Sequence, residues 1–155
     1  MLLSKSCVYG LRASLFLAER KDREYVSIRT MSDKLDISFH FLTKILQQLT
    51  AAGLLESHKG PSGGVRLTKP AGQISLFEIV IAIDGPELFT ECALGLPGCG
   101  IEKPCPLHEK WATTRDHIRE LFEGSRLSEL ADKGKAGNLR ITADGSFVWG
   151  DCFCH

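Results

Sequence analysis

The chain has 155 residues, with 19 Lys and Arg balanced by 19 Asp and Glu, and 43% of its residues are hydrophobic. This length and composition are typical of one globular domain, or of one domain with a docking extension, and they exclude disordered and fibrous proteins. We find no apolar stretch long enough to span a membrane and no signal peptide, so we expect a cytoplasmic protein whose six cysteines are kept reduced.

Apolar residues at helical spacing predict three helices in the first third of the chain. The first covers about residues 4–20. Ser27 and Ser38 can each cap one of the two helices that follow, and a short turn at residues 36–37 separates them. The third helix covers about residues 39–52 and exposes a polar face. Helix, short turn and helix together predict a helix-turn-helix.

A glycine-rich hairpin follows directly. Residues 54–68 predict two strands joined by a tight turn that holds three glycines and a proline. Ser75 and Glu78 then form a capping box in front of a short apolar helix. A basic hairpin after a helix-turn-helix favours a winged helix-turn-helix DNA-binding domain over residues 1–84.

The rest of the chain divides into three predicted segments. Residues 85–105 form a loop without periodicity, and a loop of that length needs a role or an ordering ligand. Residues 106–132 predict a long amphipathic helix and a short following helix. The apolar stripe of the long helix suits packing either against a second copy of the chain or within the chain. Residues 133–155 predict a flexible tail that ends in Cys152, Cys154 and His155. The predicted fold is mainly α with a small β-hairpin wing.

The first half of the chain carries the charge that a polyanion requires. Residues 1–70 hold eleven basic and six acidic side chains, a net charge of +5, whereas residues 71–155 hold eight and thirteen, a net charge of −5. Surface composition alone can also produce so modest an imbalance. The side chains suited to base or phosphate contacts lie on the bracing helix, the recognition helix and the wing. The predicted DNA-binding residues are Arg29, Ser38, Phe39, His40, Thr43, Lys44, Lys59, Gly60, Ser62, Gly63, Gly64 and Arg66.

The glycine-rich turn could instead cradle the phosphates of a nucleotide. A phosphate loop follows a strand, ends in Gly-Lys-Ser or Gly-Lys-Thr and opens a helix. Here the turn leads into the strand at residues 65–68, so the order of elements argues against nucleotide binding.

Three thiols and one imidazole gather within seventeen residues, at Cys92, Cys99, Cys105 and His108. Clustering in a polar, glycine-rich loop favours metal binding over burial in a core. The close Cys-x2-Cys knuckles of zinc sites are absent, so the wider spacing favours an iron-sulfur cluster, with a zinc site or a metal-free thiol switch as alternatives. A cysteine hydrolase built on Cys105 and His108 has no other supporting feature, and we predict that the chain is not an enzyme. Cys7 is expected to be a small buried residue.

Four segments together match one known family: residues 9–13 (Tyr-Gly-Leu-Arg-Ala), residues 53–55, the hairpin at residues 60–67, and residues 78–84 followed by the cysteine loop. Over about residues 1–132 the chain resembles the Rrf-type winged-helix transcriptional regulators, which include IscR-like, NsrR-like and CymR-like proteins.

The resemblance implies a homodimer crossed through the long helix, a palindromic operator in double-stranded DNA, and a redox-sensing or nitric-oxide-sensing repressor. It also implies that Cys92, Cys99 and Cys105 ligate an iron-sulfur cluster, with His108 as the fourth ligand of the IscR-like members. A histidine ligand favours [2Fe-2S], whereas ligation by Cys7 would favour [4Fe-4S]. The chain departs from the family at Val8, where some members have a ligating aspartate, and at Thr43, where IscR-like members have a glutamate.

Overall fold

The structure, a computed structural model, describes residues 2–137 and 139–142, so the predicted tail residues Cys152, Cys154 and His155 lie outside it. The helices and strands of the described residues are α1 (Lys5–Ala18), α2 (Ile28–Leu35), α3 (Phe39–Ala51), β1 (Leu55–His58), β2 (Gly64–Leu67), α4 (Leu76–Asp84), α5 (Glu87–Thr90), α6 (His108–Gly124) and α7 (Leu127–Gly137). A single turn of 3-10 helix, Ala71–Gln73, precedes α4. The predicted class, mainly α with a β-hairpin wing, is confirmed.

Serine side chains cap the N-termini of α1 and α2. Ser4 accepts a hydrogen bond from the backbone N–H of Cys7, and Ser27 accepts one from Thr30, so the first turns of α1 and α2 are satisfied. The turn between α2 and α3 is closed by Ser32, whose hydroxyl donates to the carbonyl of Ile37 at 2.6 Å. Asp36 adopts the left-handed conformation there, with φ of 53°. These two local features close the turn of the helix-turn-helix.

The wing is a two-stranded antiparallel hairpin that is also tied to the segment before α2. β1 pairs with β2 in the register Leu55 to Leu67 and His58 to Gly64. Val26 and Val65 exchange two backbone hydrogen bonds of 2.9 Å, which adds an isolated bridge to the hairpin. The wing is therefore held against the helix-turn-helix at its base.

Two apolar clusters hold the helices together. The larger is built from α1, α2, α3, α4, α7 and the hairpin, and includes the fully buried Phe16, Met31 and Leu42. The smaller joins α1 and α4 to the C-terminal part through Phe89 and Phe122. Burial of these side chains supplies the main stabilisation of the fold. It also makes the segment around the cysteine loop continuous with the DNA-binding part.

Three predicted features differ from the structure. The short last helix runs to Gly137 rather than residue 132, and Gly134, Ile141 and Thr142 are buried, so the predicted flexible tail is in part buried. Residues 87–90 of the predicted loop form the one-turn helix α5, because Phe89 is buried against Phe77 and Phe122. Ser38 lies at the N-cap of α3 but makes no capping hydrogen bond.

Over the ranges described, no helix is both long enough and apolar enough to cross a membrane.

Candidate nucleic-acid interface and cysteine loop

A groove of about 680 Å³ lies between α3 and the wing. Seven of the predicted DNA-binding residues line it: Arg29, Phe39, Thr43, Lys59, Gly60, Gly63 and Gly64. Gln47 also lines the groove with an exposed side chain, although it was not among the predicted DNA-binding residues. Its position one helical turn beyond Thr43 is the signal that identifies it.

Three exposed polar side chains on or beside the groove are available to a ligand. His40, Lys44 and Lys59 are all exposed, and neither lysine forms a salt bridge within the described residues. Their charge and hydrogen-bonding capacity can therefore be offered to phosphates or base edges without breaking an existing pair.

Two other predicted DNA-binding residues, Arg29 and Thr43, already make contacts within the chain. The Arg29 guanidinium stacks over the half-buried Phe39 ring, with 4.4 Å to the ring centroid. The Thr43 hydroxyl donates to the carbonyl of Phe39 at 2.7 Å. These contacts make Phe39 part of the groove floor and reduce the freedom of Thr43 to read a base.

Arg66 is engaged on the other side of the hairpin. Its guanidinium forms a salt bridge with Glu56 on β1, donates to the carbonyl of Arg23 at 3.2 Å and stacks over Tyr25 at 4.4 Å. The hydrogen bond with Glu56 raises the pKa of Arg66 further above its usual value. These contacts connect the wing to the segment before α2, which sequence reasoning did not predict for Arg66. The pairing depends on cross-strand register, and only the folded hairpin fixes that register.

The four predicted ligands of the cysteine loop lie together as two pairs. The Sγ atoms of Cys92 and Cys105 are 3.5 Å apart, and the Sγ of Cys99 is 3.5 Å from the Nδ1 of His108. All three cysteines line one small hollow of about 60 Å³. Within the described residues, no three such side chains are arranged to hold a single metal ion.

Backbone amides set the electrostatics of this loop. Hydrogen bonds from the N–H groups of Leu96 and Leu94 lower the pKa of the Cys92 thiol, and the Leu94 amide lies 3.4 Å from its sulfur. Loss of hydration raises the pKa of Cys105. These amides therefore stabilise the thiolate of Cys92 relative to its thiol, and the thiolate is the form that binds metal.

One face of α6 holds the start of the loop. His108, Trp111 and Arg115 follow one another at spacings of three and four residues, which places them on the same side of the helix. The indole N–H of Trp111 donates to the carbonyl of Glu91 at 2.8 Å. The sequence predicted Trp111 only as part of an apolar stripe and gave Arg115 no role, because their partners are backbone carbonyls whose positions depend on the tertiary structure.

Cys7 lies apart from these thiols as a buried residue of the smaller apolar cluster. It is fully buried, and burial raises its pKa to about 12, with a further contribution from Asp84. The prediction of a small buried residue is confirmed.

Comparisons with known proteins agree with this architecture. Residues 3–133 match the family model described as Rrf2, iron-dependent transcriptional regulator. The HTH-type transcriptional regulator IscR of Cronobacter sakazakii is 30% identical over 132 residues, which cover 85% of this chain and 81% of that protein.

Solved structures are similar over the same region. The structure of CymR, the global cysteine regulator of B. subtilis, has a TM-score of 0.73 and 26% identity, and covers 84% of this chain and 96% of its own. The structure of IscR from T. potens has a TM-score of 0.71 and 19% identity, covers 88% of this chain and 90% of its own, and supports the fold alone.

Proposed function

We propose, from the premise that this chain belongs to the Rrf2 family of transcriptional regulators, that it is an iron-sulfur-dependent switch acting on duplex DNA. Membership makes the chain a transcriptional regulator and not an enzyme, as the sequence predicted. Cluster sensing, a homodimer and a palindromic operator are the parts that we propose.

The DNA-reading surface is the groove between α3 and the wing. We assign base contacts to His40 and Gln47, which are exposed on the recognition helix, and phosphate contacts to Lys44 and Lys59. The remaining predicted residues that line this groove are Arg29, Phe39, Thr43, Gly60, Gly63 and Gly64. Ser38 lies at the N-cap of α3, and Ser62 and Arg66 line a second hollow beside the wing. Two such surfaces in a homodimer suit a palindromic operator.

The arrangement of donors in the cysteine loop carries the sensing proposal. Thiolates and imidazole suit iron, and a two-iron cluster takes two protein ligands on each iron. Cys92, Cys99, Cys105 and His108 would hold such a cluster, and contacts of 3.5 Å already bring Cys92 to Cys105 and Cys99 to His108. The wide spacing of these donors, without the close Cys-x2-Cys knuckles of zinc sites, supports an iron-sulfur cluster better than zinc. When bound, the cluster supplies a centre whose oxidation or loss changes the charge and bonding at these four side chains.

Packing offers a route from the loop to the DNA-binding part. α4 ends at Asp84, directly before the segment that leads to the cysteines, and Asp84 holds the start of α1. Phe89 at the head of the loop packs against Phe77 and Phe122. We propose that residues 1–84 read DNA, that residues 85–105 together with His108 hold the cluster, and that residues 106–132 dimerise. The exposure of Leu121 (64%) on α6 supports the assignment of dimerisation.

Purification without air tests the cluster. The expected product is brown and contains two iron and two sulfide per chain, whereas Cys92→Ser and Cys105→Ser variants lose both. Operator affinity is then compared for loaded and iron-free protein, and a typical coupling of about 1 to 3 kcal/mol predicts a difference of about fivefold or more. A wild-type protein free of iron and sulfide, or equal affinities of the two forms, contradicts the proposal.

The contact between Cys92 and Cys105 supports a second candidate, a metal-free thiol switch. Oxidised glutathione can take two electrons from the two thiols, forming one disulfide in the protein, releasing two protons and becoming two glutathione thiolates. Peptide mass mapping of iron-free protein after this treatment checks it. A pairing between residues 92 and 105 that alters operator binding favours this candidate, whereas glutathione adducts alone contradict it.

A further inference from the structure

The guanidinium of Arg115 enters the cysteine loop from α6. Its Nη1 donates to the carbonyl of Thr90 at 3.1 Å and to that of Glu91 at 3.2 Å, and it lies 3.3 Å from the Sγ of Cys99. One nitrogen therefore connects the chain just before Cys92 with the middle of the loop.

The positive charge of Arg115 is not neutralised by a carboxylate. In the part of the chain that the structure describes, no acidic side chain lies within salt-bridge distance of it. Its Nε is buried and has no hydrogen-bond partner among the same residues. A partly buried cation whose contacts are carbonyl dipoles and a sulfur acts strongly on any negative charge that develops there.

We propose that the positive charge of Arg115 raises the reduction potential of the centre held through Cys99. Arg115 is a positioning residue of the cysteine loop and not a ligand of the centre. This inference depends on the proposed function and names how that site is tuned. One-electron reduction, with the electron supplied by a low-potential reductant such as dithionite, adds a negative charge to the centre. A fixed guanidinium stabilises the reduced form more than the oxidised form, as do N–H groups directed at cluster sulfurs.

A purely structural role makes a different prediction. The bonds to Thr90 and Glu91 would then matter only as a tether, and any substitution would loosen the loop without moving the potential. Lysine keeps the charge but lacks the planar fork that reaches several acceptors at once. Arg115→Lys therefore separates the charge from the tether, whereas Arg115→Gln and Arg115→Met remove the charge.

Arg119→Gln is the matched control. Arg119 lies one turn further along α6, is paired with Glu123 at 2.8 Å and stacks over Phe77, and none of its observed contacts is with the loop. Removal of the Arg119 charge tests whether the loss of any positive charge on α6 is enough to lower the reduction potential.

The experiment is a dithionite titration of the anaerobically loaded proteins, followed by absorption. Arg115→Gln is expected to favour the oxidised form by on the order of tenfold, which corresponds to a midpoint about 59 mV more negative for a one-electron couple. Arg115→Lys keeps most of the wild-type potential, and Arg119→Gln keeps all of it. In iron-free protein, hydrogen exchange of residues 92–99 increases in Arg115→Gln and not in Arg119→Gln.

Loaded wild type and loaded Arg115→Gln with equal potentials overturn this inference and leave the proposed function intact. A wild-type protein without iron and sulfide overturns both, and the iron assay distinguishes the two failures. If the neutral variants cannot hold the cluster, Arg115→Lys decides, because it keeps the charge without the planar fork. A Lys variant that holds the cluster at the wild-type potential supports the role of charge, whereas one that also fails to hold it, or holds it at a shifted potential, contradicts that role.

Discussion

The carboxylate of Asp84, the last residue of α4, accepts hydrogen bonds from both the backbone N–H and the hydroxyl of Ser4, which is the N-cap of α1. The end of one helix thus fixes the start of another, and the loop of residues 85–105 begins directly after it. Because Ser4 also caps the N–H of Cys7, the contact orients the hydroxyl that satisfies the first turn of α1.

Asp84→Ala is expected to lower the free energy of unfolding by about 1 to 2 kcal/mol, since the Ser4 groups lose their acceptor. Urea denaturation measures the change. A double-mutant cycle with Ser4→Ala should give a coupling of about 1 kcal/mol. Asp132→Ala removes an exposed carboxylate and should leave stability unchanged. Additive effects of the Asp84 and Ser4 substitutions would contradict this account.

Lys59→Ala and Arg66→Ala are expected to behave differently. Lys59 is exposed without a salt bridge among the described residues, so its loss should weaken binding to all DNA sequences and reduce the salt dependence by roughly one phosphate contact. Arg66 is paired with Glu56, so its loss should loosen the wing and change the salt dependence less. Fluorescence anisotropy at several salt concentrations measures both. Equal slopes for the two variants would show that Arg66 is a phosphate contact.

His40→Ala should change sequence preference more than Thr43→Val. His40 is exposed, and loss of one base contact changes discrimination at one position by about 1 kcal/mol or more. The Thr43 hydroxyl already donates to the carbonyl of Phe39, so its removal leaves most readout in place. Selection from a randomised operator library measures both preferences. Thr113→Val, which removes a similarly bonded hydroxyl on α6, is the control.

Gly64→Ala should destabilise the wing. A Cβ at this position would lie 2.0 Å from the carbonyl oxygen of Val26, and its φ of +151° also disfavours an L side chain. The bridge between Val26 and Val65 cannot form around such a contact, so we expect a loss of about 3 kcal/mol and weak DNA binding. Gly124→Ala meets nothing within 4 Å and should be tolerated. Native stability and affinity in Gly64→Ala would contradict the observed wing geometry.

Stability should decrease at alkaline pH through Cys7. Its pKa is about 12 in the folded chain against an ordinary value near 9, so the unfolded state loses its proton first. The contribution of protonated Cys7 to the free energy of unfolding is complete below about pH 9 and is lost as pH rises towards 12. At pH 10 the loss is about 1 kcal/mol. Urea denaturation at pH 8 and pH 10 should show a larger decrease for wild type than for Cys7→Ala. Identical decreases would exclude Cys7 as the source.

Local sequence patterns were sufficient for most of the elements and for naming the candidate site. The capping box of Ser75 with Glu78, the spacing of apolar residues in α3 and the glycines of the wing are short-range signals, so they predict helix, turn and hairpin within a few residues. The cluster of Cys92, Cys99, Cys105 and His108 is likewise visible in the chain order.

Contacts between residues that are distant in the sequence depend on the tertiary structure and could not be predicted from local patterns. The sequence alone determined a winged helix-turn-helix followed by a thiol-rich loop, because periodicity, caps and turn residues act over a few positions. Only folding decided that Arg66 pairs with Glu56, that Arg115 and Trp111 hold the carbonyls before Cys92, and that Ile141 is buried in the core. Such contacts depend on where separate elements meet in space, and that is determined by the packing of the whole core rather than by any local pattern.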